Sequence, residues 1–205
     1  MLDQLCSLAS LKSHTVYIDA ERVGQQDIID SLTNKMIEKY NQTEPVIFKT
    51  YQMYRRDTLQ KLKSDIKTYP YLGVKLVRGA YHHQDEHSGQ LFNSIEDTHE
   101  NYNAGIHCIL SKEQIVTGHL KVLFASHNES SVRYATNILE LLPELAKDNV
   151  AFAQLLGMSD KLSDRLAFCG YDVKKYVPYG PAHKMIPYLV RHLYENMGIL
   201  QYLNK

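Results

Sequence analysis

The chain has 205 residues, with 23 lysines and arginines against 23 aspartates and glutamates, and 44% of its residues are hydrophobic. This size fits one globular domain or most of one, and a net charge of zero argues against a nucleic-acid-binding surface built on bulk positive charge. No apolar stretch reaches the ~20 residues that span a bilayer, and the start of the chain shows no signal or transit pattern. The three widely spaced cysteines predict buried thiols in a reducing compartment rather than a disulfide framework.

Short apolar runs alternate along the chain with stretches of helical periodicity. In chain order, strands are predicted at 16–19, 45–51, 74–77, 122–125, 150–153 and 173–178. Helices are predicted at 25–40, through Leu62 and Ile66, and at 96–110, 130–142 and 185–196. This alternation predicts βαβ units around a parallel sheet, in a chain with no visible domain boundary.

Two α/β architectures share this pattern, an open doubly wound sheet and a (βα) barrel. No G-x-G-x-x-G fingerprint follows a strand, which disfavours the open dinucleotide-binding sheet. Polar residues crowd the C-terminal ends of the predicted strands, where a barrel forms its active site; they are Asp19, Gln52, Arg78, His127 and Gln154. The pattern therefore favours a barrel, and six predicted strands against the roughly eight of a complete barrel indicate a chain that is short at its N-terminus.

The run Lys75-Leu-Val-Arg78-Gly79 places two cations and a glycine at the end of the third predicted strand. A guanidinium fork binds phosphate or carboxylate well, and a glycine allows a ligand close to the backbone. The same residues also fit a salt-bridged strand end that closes in a glycine turn. Both interpretations stay open on the sequence alone.

Ser126, His127 and Asn128 follow the fourth predicted strand. A histidine there can donate a hydrogen bond to a ligand or, when neutral, accept one. Ser126 or Asn128 can equally cap the next helix, because short polar side chains accept hydrogen bonds from the first helical turn. The two roles are compatible, and the position at a strand end favours a functional His127.

The last predicted strand ends in an aromatic turn that includes Tyr176, and a helix follows. Its residues Tyr188, Arg191, His192 and Glu195 lie on one face, at offsets of three, four and seven from the first. Such a polar stripe is costly to bury unless it is paired or binds a ligand. The alternative is an exposed Arg191–Glu195 pair, worth only ~0.3–0.5 kcal/mol.

The segment 82–87 contains three histidines, an aspartate and a glutamate. It lacks the H-E-x-x-H order of a helical zinc site, so a solvated loop is the favoured interpretation and no metal site is predicted. No G-x-S-x-G elbow is present, and nucleophilic catalysis has no specific support.

Seven segments, in order and spread over nearly the whole chain, resemble those of proline dehydrogenase, the flavoenzyme that oxidises L-proline. They are VYIDAE (16–21), TYQMY (50–54), KLVRGAY (75–81), SHNE (126–129), QLLGM (154–158), KYVPYGP (175–181) and YLVRHLYEN (188–196). The KLVRGAY and KYVPYGP forms resemble the eukaryotic mitochondrial branch, fungal members in particular. The resemblance implies a (βα)₈ TIM-like barrel that lacks its first strands, with residues 1–205 as one partial catalytic domain.

The resemblance also implies the chemistry and the residues of the site. FAD at the strand ends would accept a hydride from L-proline, giving Δ1-pyrroline-5-carboxylate, and a quinone at the inner mitochondrial membrane would take the electrons. Asp19 and Lys75 match catalytic positions. The cofactor would contact Gln52, Lys75, Val77, Arg78, Gly79, Ser126 and His127, and the substrate would contact Tyr176, Tyr188, Arg191, His192 and Glu195. Mitochondrial location and peripheral membrane association are implied, although the chain shows no import segment.

Two departures from the family pattern concern the substrate carboxylate. His192 stands where the family has a second arginine, and the family's lysine on an early strand has no counterpart. A charge-assisted hydrogen bond that is lost costs ~1.5–3 kcal/mol, so a truncated, catalytically weak or inactive remnant is the alternative function. A different (βα) barrel enzyme, such as an aldolase or a metal hydrolase, rests on architecture alone. Tyr176 would crowd a ring hydroxyl, which favours proline over hydroxyproline.

Overall fold

The structure, a computed structural model, describes residues 1–183, 185–187, 189 and 190. Its centre is a parallel sheet of six strands, in which each strand pairs with the next one along the chain. The strands are β1 (Val16–Ile18), β2 (Ile47–Gln52), β3 (Leu72–Val77), β4 (Leu120–Ala125), β5 (Val150–Leu155) and β6 (Asp172–Tyr176). Because the order of the described strands never reverses, the sheet has no switch point of the doubly wound kind.

Helices cover the outer side of the sheet. They are α1 (Leu2–Leu11), α2 (Val23–Tyr40), α3 (Thr58–Thr68), α4 (His82–Asp85), α5 (Ile95–Leu110), α6 (Gln114–Thr117), α7 (Glu129–Leu139) and α8 (Asp160–Phe168), with 3-10 turns at Glu86–Ser88 and Glu144–Asn149. Within the described part of the chain, no helix has the length and apolar character needed to cross a membrane.

The predicted alternation of strands and helices is confirmed, with ends that shift by a few residues. Of the predicted helix at 185–196, residues 185–187, 189 and 190 are helical, and the others lie outside the described residues. The sequence pattern does not predict α1, because Leu5, Leu8 and Leu11 are exposed and trace no buried stripe. It also does not predict α8, which buries only Leu162 and Leu166 among its apolar residues.

The sheet is strongly curled, so that its first and last strands approach one another. Tyr17 on β1 and Asp172 on β6 are five strands apart, which in a flat sheet would separate them by roughly 24 Å. Burial and, second, the charge of Asp172 nevertheless raise the pKa of Tyr17 to about 12. Lys75 of β3 places its Nζ 5.8 Å from the centroid of the Tyr176 ring on β6. The six strands therefore form part of a barrel wall rather than an open sheet.

The concave face is packed by a few aromatic and small residues. The rings of Tyr17 and Phe48 lie side by side with centroids 4.9 Å apart, and Gly73 is the next residue in the same row of the sheet. A Cβ atom at Gly73 would lie 2.4 Å from the Phe48 ring. The missing side chain therefore makes room for the aromatic pair that fills the inside of the curl.

The convex face carries the main core and one buried cation. Lys49 of β2 points away from the concave face and donates hydrogen bonds to Asn34 (2.9 Å) and Asp65 (2.9 Å). The Tyr51 hydroxyl donates to the same carboxylate at 2.7 Å. These contacts tie β2 to α2 and α3, and they satisfy a charge that would be costly to bury alone.

Two expectations about polar side chains are wrong. The segment 82–87 is not simply a solvated loop, because α4 turns Asp85 inward. Asp85 accepts hydrogen bonds from the Val23 N–H at the start of α2 (2.9 Å) and from the Tyr54 hydroxyl (3.3 Å). Cys169 is exposed rather than buried, because it lies at the outer end of α8.

The contact between Gly73 and Phe48 generates a stability prediction. We expect Gly73→Ala to lower the free energy of unfolding by about 1–3 kcal/mol, because an added methyl group overpacks the concave face. Gly24→Ala is the matched control: no atom lies within 4 Å of its position in the first turn of α2, so it should stabilise by about 0.5–1 kcal/mol. Urea unfolding of the two variants measures both. Equal effects would contradict the packing argument.

Candidate functional site

The C-terminal ends of the strands bring together residues from both edges of the sheet. Lys75 Nζ donates a hydrogen bond to the carboxylate of Asp19, which follows β1, and lies next to the Tyr176 ring of β6. The Lys75 side chain is 13% exposed and that of Asp19 is 49% exposed. Thr50 donates to the Ile18 carbonyl at 2.8 Å and so fixes the end of β1 beneath Asp19. A nearly buried cation, a half-exposed carboxylate and an aromatic ring thus share one pocket edge.

Gln52 ends β2 beside this group, and the oxygen of its side-chain amide lacks a hydrogen-bond partner within the described residues. Its Oε1 atom is buried and unsatisfied, as is Nη1 of Arg55. Both residues line a cavity of about 10 Å³ between β2 and the helices, which is room for one water molecule.

His127 is held as a neutral donor at the end of β4. Its Nε2 atom accepts a hydrogen bond from the Leu155 N–H at 3.1 Å, so the ring proton must be on Nδ1. Burial, and then the positive charge of Lys175, lower the pKa of His127 from its ordinary 6.5. At neutral pH the imidazole is therefore uncharged, with an Nδ1–H group that has no protein acceptor among the described residues.

Arg78 lies behind this edge, with its guanidinium fully engaged. It donates to His99 Nδ1 (2.9 Å), Ser126 Oγ (2.7 Å) and Ser131 Oγ (2.7 Å). Its guanidinium carbon lies 4.2 Å from the centroid of the Tyr102 ring. The salt-bridged interpretation of the motif holds for Lys75, which pairs with Asp19, whereas Arg78 is partly exposed and has no carboxylate partner among the described residues. Contact between Arg78 and a cofactor stays a prediction.

The residues around His127 combine both predicted roles. Asn128 caps α7, since its side chain accepts a hydrogen bond from the Ser131 N–H at 2.9 Å. Ser126 Oγ accepts from the Asn128 N–H at 3.1 Å, and the Gln154 amide donates to the Ser126 carbonyl at 3.2 Å. The backbone on both sides of His127 is therefore fixed.

Gly79 has φ +125°, and a Cβ atom there would lie 2.3 Å from the Tyr54 ring. The close approach that Gly79 allows is therefore made by the ring of Tyr54 and not by a ligand. Val77 precedes the turn as the partly buried last residue of β3. Both keep their predicted place beside the site, and their contact with a cofactor stays a prediction.

Four predicted substrate residues lie outside the described residues. They are Tyr188, Arg191, His192 and Glu195. Tyr176 alone of the predicted substrate group is described, and it lies beside Lys75. Sequence reasoning missed His99, Tyr102 and Ser131, whose only signal is the helical spacing that places the first two on one face of α5. Among the described residues, no group of three or more His, Cys, Asp or Glu side chains is arranged to hold a metal ion.

Comparison with protein families identifies the chain. The family described as "Proline dehydrogenase" matches residues 1–205. The chain belongs to the proline dehydrogenase family.

Individual family members cover the chain almost completely, but each is much longer. The human "Proline dehydrogenase 1, mitochondrial" is 37% identical over 98% of this chain and 35% of its own length. The Dictyostelium discoideum protein of the same name is 32% identical over 97% of this chain and 37% of its own. The "Hydroxyproline dehydrogenase" of Mus musculus is 35% identical over 98% of this chain and 47% of its own. The chain thus spans about a third to a half of these proline dehydrogenase relatives.

Solved structures support the architecture. The proline utilization A protein of Bdellovibrio bacteriovorus, inactivated by N-propargylglycine, matches with a TM-score of 0.81 and 23% identity. The match covers 95% of this chain and 21% of the other. The curled parallel sheet is therefore shared with a proline utilization protein of known structure.

The tautomer of His127 is open to direct measurement. We expect ¹⁵N NMR at pH 7.5 to show Nδ1 protonated and Nε2 unprotonated, with titration below 6.5. Because the folded-state pKa is lowered, the stability contributed by neutral His127 is complete above about 6.5 and is lost as the pH falls toward the folded-state pKa. His127→Asn identifies the signals. A proton on Nε2 at pH 7.5 would contradict the assigned hydrogen bond.

Proposed function

We propose that the chain is the flavin-binding part of an enzyme that oxidises L-proline to Δ1-pyrroline-5-carboxylate. The observation that carries the proposal is the junction of Lys75, Asp19 and Tyr176, which come from three strands and meet at the catalytic edge of a barrel-type sheet. Family membership over the whole chain and relatives named proline dehydrogenase support the same reaction.

The residues at the strand ends fit FAD. Gln52 has a buried amide oxygen without a protein partner, His127 offers an Nδ1–H donor, and Lys75 supplies a cation. Ala125 pairs with the buried Ala153, so the ends of β4 and β5 carry small side chains beside these groups. Bound FAD would supply the two-electron acceptor for the hydride that leaves C5 of proline.

Each of these side chains has a separate task in the proposed reaction. Asp19 holds the Lys75 ammonium in place, and Lys75 would stabilise negative charge on a bound flavin. His127 and Gln52 would hold the cofactor through hydrogen bonds. Arg78 hydrogen-bonds Ser126 and so fixes the backbone next to His127. Val77 and Gly79 form the turn after β3. The proton on the proline nitrogen leaves to solvent as the C=N bond forms.

The substrate lies on the side of Tyr176 in this proposal. Tyr176 and Tyr188 would contact the proline ring and Arg191 would pair with its carboxylate, with His192 and Glu195 as the remaining substrate residues. A carboxylate and an apolar ring are the features that a guanidinium fork and tyrosine rings recognise.

The wider setting is part of the same proposal. Residues 1–205 belong to one catalytic domain whose six described strands contribute to a (βα)₈ barrel. A quinone takes the electrons, and the enzyme works in mitochondria with peripheral association at the inner membrane. Relatives from human, cow and Dictyostelium are named mitochondrial, which supports this location.

Hydroxyproline oxidation is a second candidate, because hydroxyproline dehydrogenases from Xenopus laevis and Mus musculus are 33% and 35% identical to this chain. Tyr176 supports proline, since its ring would crowd a hydroxyl on the substrate. A weak or inactive remnant is the other alternative, and it predicts flavin binding without turnover.

Lys75 provides the test of the reaction. We expect chain purified with saturating FAD to hold flavin and to reduce a dye with proline, and Lys75→Met to lower this rate about a hundredfold. Lys121→Met is the control: Lys121 lies near the start of β4, at the opposite end of the strands, and its ammonium pairs with Glu44 at 3.1 Å. Protein that holds flavin but reduces no dye would support the remnant instead, and protein without flavin would refute the proposal.

Tyr176 provides the test of substrate choice. We expect Tyr176→Ser to raise kcat/KM for trans-4-hydroxyproline relative to proline by about tenfold or more, because the smaller side chain removes the clash and can hydrogen-bond the hydroxyl. Tyr179→Ser is a matched control, since Tyr179 is fully exposed. Wild-type protein that prefers hydroxyproline would favour the second candidate.

A further inference from the structure

Arg78 donates hydrogen bonds to three acceptors, and only one of these acceptors can gain a proton near neutral pH. The hydroxyls of Ser126 and Ser131 accept its Nη1 and Nη2 donors at 2.7 Å in any protonation state. The third acceptor is Nδ1 of His99, 2.9 Å from Arg78 Nε. An imidazole nitrogen accepts a hydrogen bond only while it is unprotonated. All three hydrogen bonds from Arg78 therefore form only when His99 is neutral.

Protonation of His99 would place a second cation against a buried guanidinium. His99 lies on α5 and is partly buried. The charges that act on it among the described residues are Arg78, from the end of β3, and Glu96, on its own helix. Burial and Arg78 lower the pKa of His99 from its ordinary 6.5, and Glu96 opposes them in part. The neutral form therefore dominates at neutral pH and gives way as the pH falls below about 6.5.

Arg78 in turn controls the backbone beside His127. Its Nη1 donor and the Asn128 N–H share the Oγ atom of Ser126. Ser126 and Asn128 are the residues before and after His127. These two hydrogen bonds therefore fix the backbone on both sides of His127. When His99 is protonated, Arg78 loses the hydrogen bond from its Nε to His99 and is repelled by the new positive charge. Its hydrogen bond to Ser126 Oγ is then weakened.

We propose that neutral His99 is a positioning residue, which holds Arg78 and, through Ser126, fixes His127 for the cofactor. The inference rests on the proposed function, because it assigns His127 to the flavin side of the site. It concerns residues that make no contact with the substrate. It predicts that flavin affinity falls in acid through His99 as well as through His127.

The test compares two substitutions of His99 with different chemistry. Asn can present its Oδ1 acceptor near the position of Nδ1 and does not titrate, whereas Leu removes the acceptor. At pH 7.5 we expect His99→Asn to bind FAD within about threefold of wild type and His99→Leu to bind about tenfold more weakly. At pH 5.5 the wild type should bind about tenfold more weakly than His99→Asn. Flavin fluorescence quenching gives the dissociation constants.

Two further measurements keep the outcomes distinct. His107→Asn changes an exposed histidine on the same helix and should keep the wild-type pH profile, which includes the contribution of His127. In protein without FAD, the ¹H and ¹⁵N shifts of the Arg78 Nε–H group should report its hydrogen bond to His99 Nδ1, moving in acid in the wild type and staying unchanged over the same pH range in His99→Asn. If the wild type binds no FAD at any pH, the proposed function fails and the NMR result still decides the role of His99. Identical acid profiles for wild type and His99→Asn, in binding or in NMR, would overturn the inference.

Discussion

The contact of Lys75 with both edges of the sheet is the interaction on which the candidate site depends. Its ammonium donates to Asp19, beyond β1, and lies 5.8 Å from the ring of Tyr176 on β6. In a flat parallel sheet, Lys75 on β3 would lie roughly 10 Å from β1 and roughly 14 Å from β6, both farther than a lysine side chain reaches. The curl in turn requires a sparsely filled inner face, which Gly73 provides by admitting the Phe48 ring. The contacts of Lys75 thus depend on the curvature of the sheet, and the curvature depends on how its inner face is packed.

The site separates groups that face a ligand from groups that hold them. Lys75 and His127 present donors and Gln52 an acceptor at the strand ends, whereas Arg78 contacts neutral acceptors and the Tyr102 ring. Among the described residues no carboxylate pairs with Arg78, so its positive charge is balanced only by hydrogen bonds and ring contact. An uncompensated buried cation creates a positive potential at the strand ends. That potential suits the anionic groups of the proposed ligands, a dinucleotide pyrophosphate and a carboxylate.

The alternation of strands and helices was predictable because each unit repeats one local pattern, and the strand ends followed from it. The position of Asp19, Gln52 and His127 at one edge needed only the parallel topology. The partners of Arg78 were not predictable, since His99 and Ser131 lie on helices whose rotation about their axes depends on packing. The burial of Asp85 was not predictable for a similar reason. The charged residues around it predict a solvent-exposed loop, whereas the turn of α4 directs its carboxylate inward to Val23 and Tyr54.

Substrate choice cannot be read from overall similarity in this family. Relatives named proline dehydrogenase and relatives named hydroxyproline dehydrogenase share 32–37% and 33–35% of their residues with the chain. The two activities differ by one hydroxyl on the substrate, so a small number of side chains must distinguish them. In the proposed function Tyr176 is one of these side chains, and its ring also lies 5.8 Å from the Lys75 ammonium. Because one ring touches both the proposed substrate side and the cation that serves the cofactor, a change in specificity at this position would also change the electrostatics of the reaction.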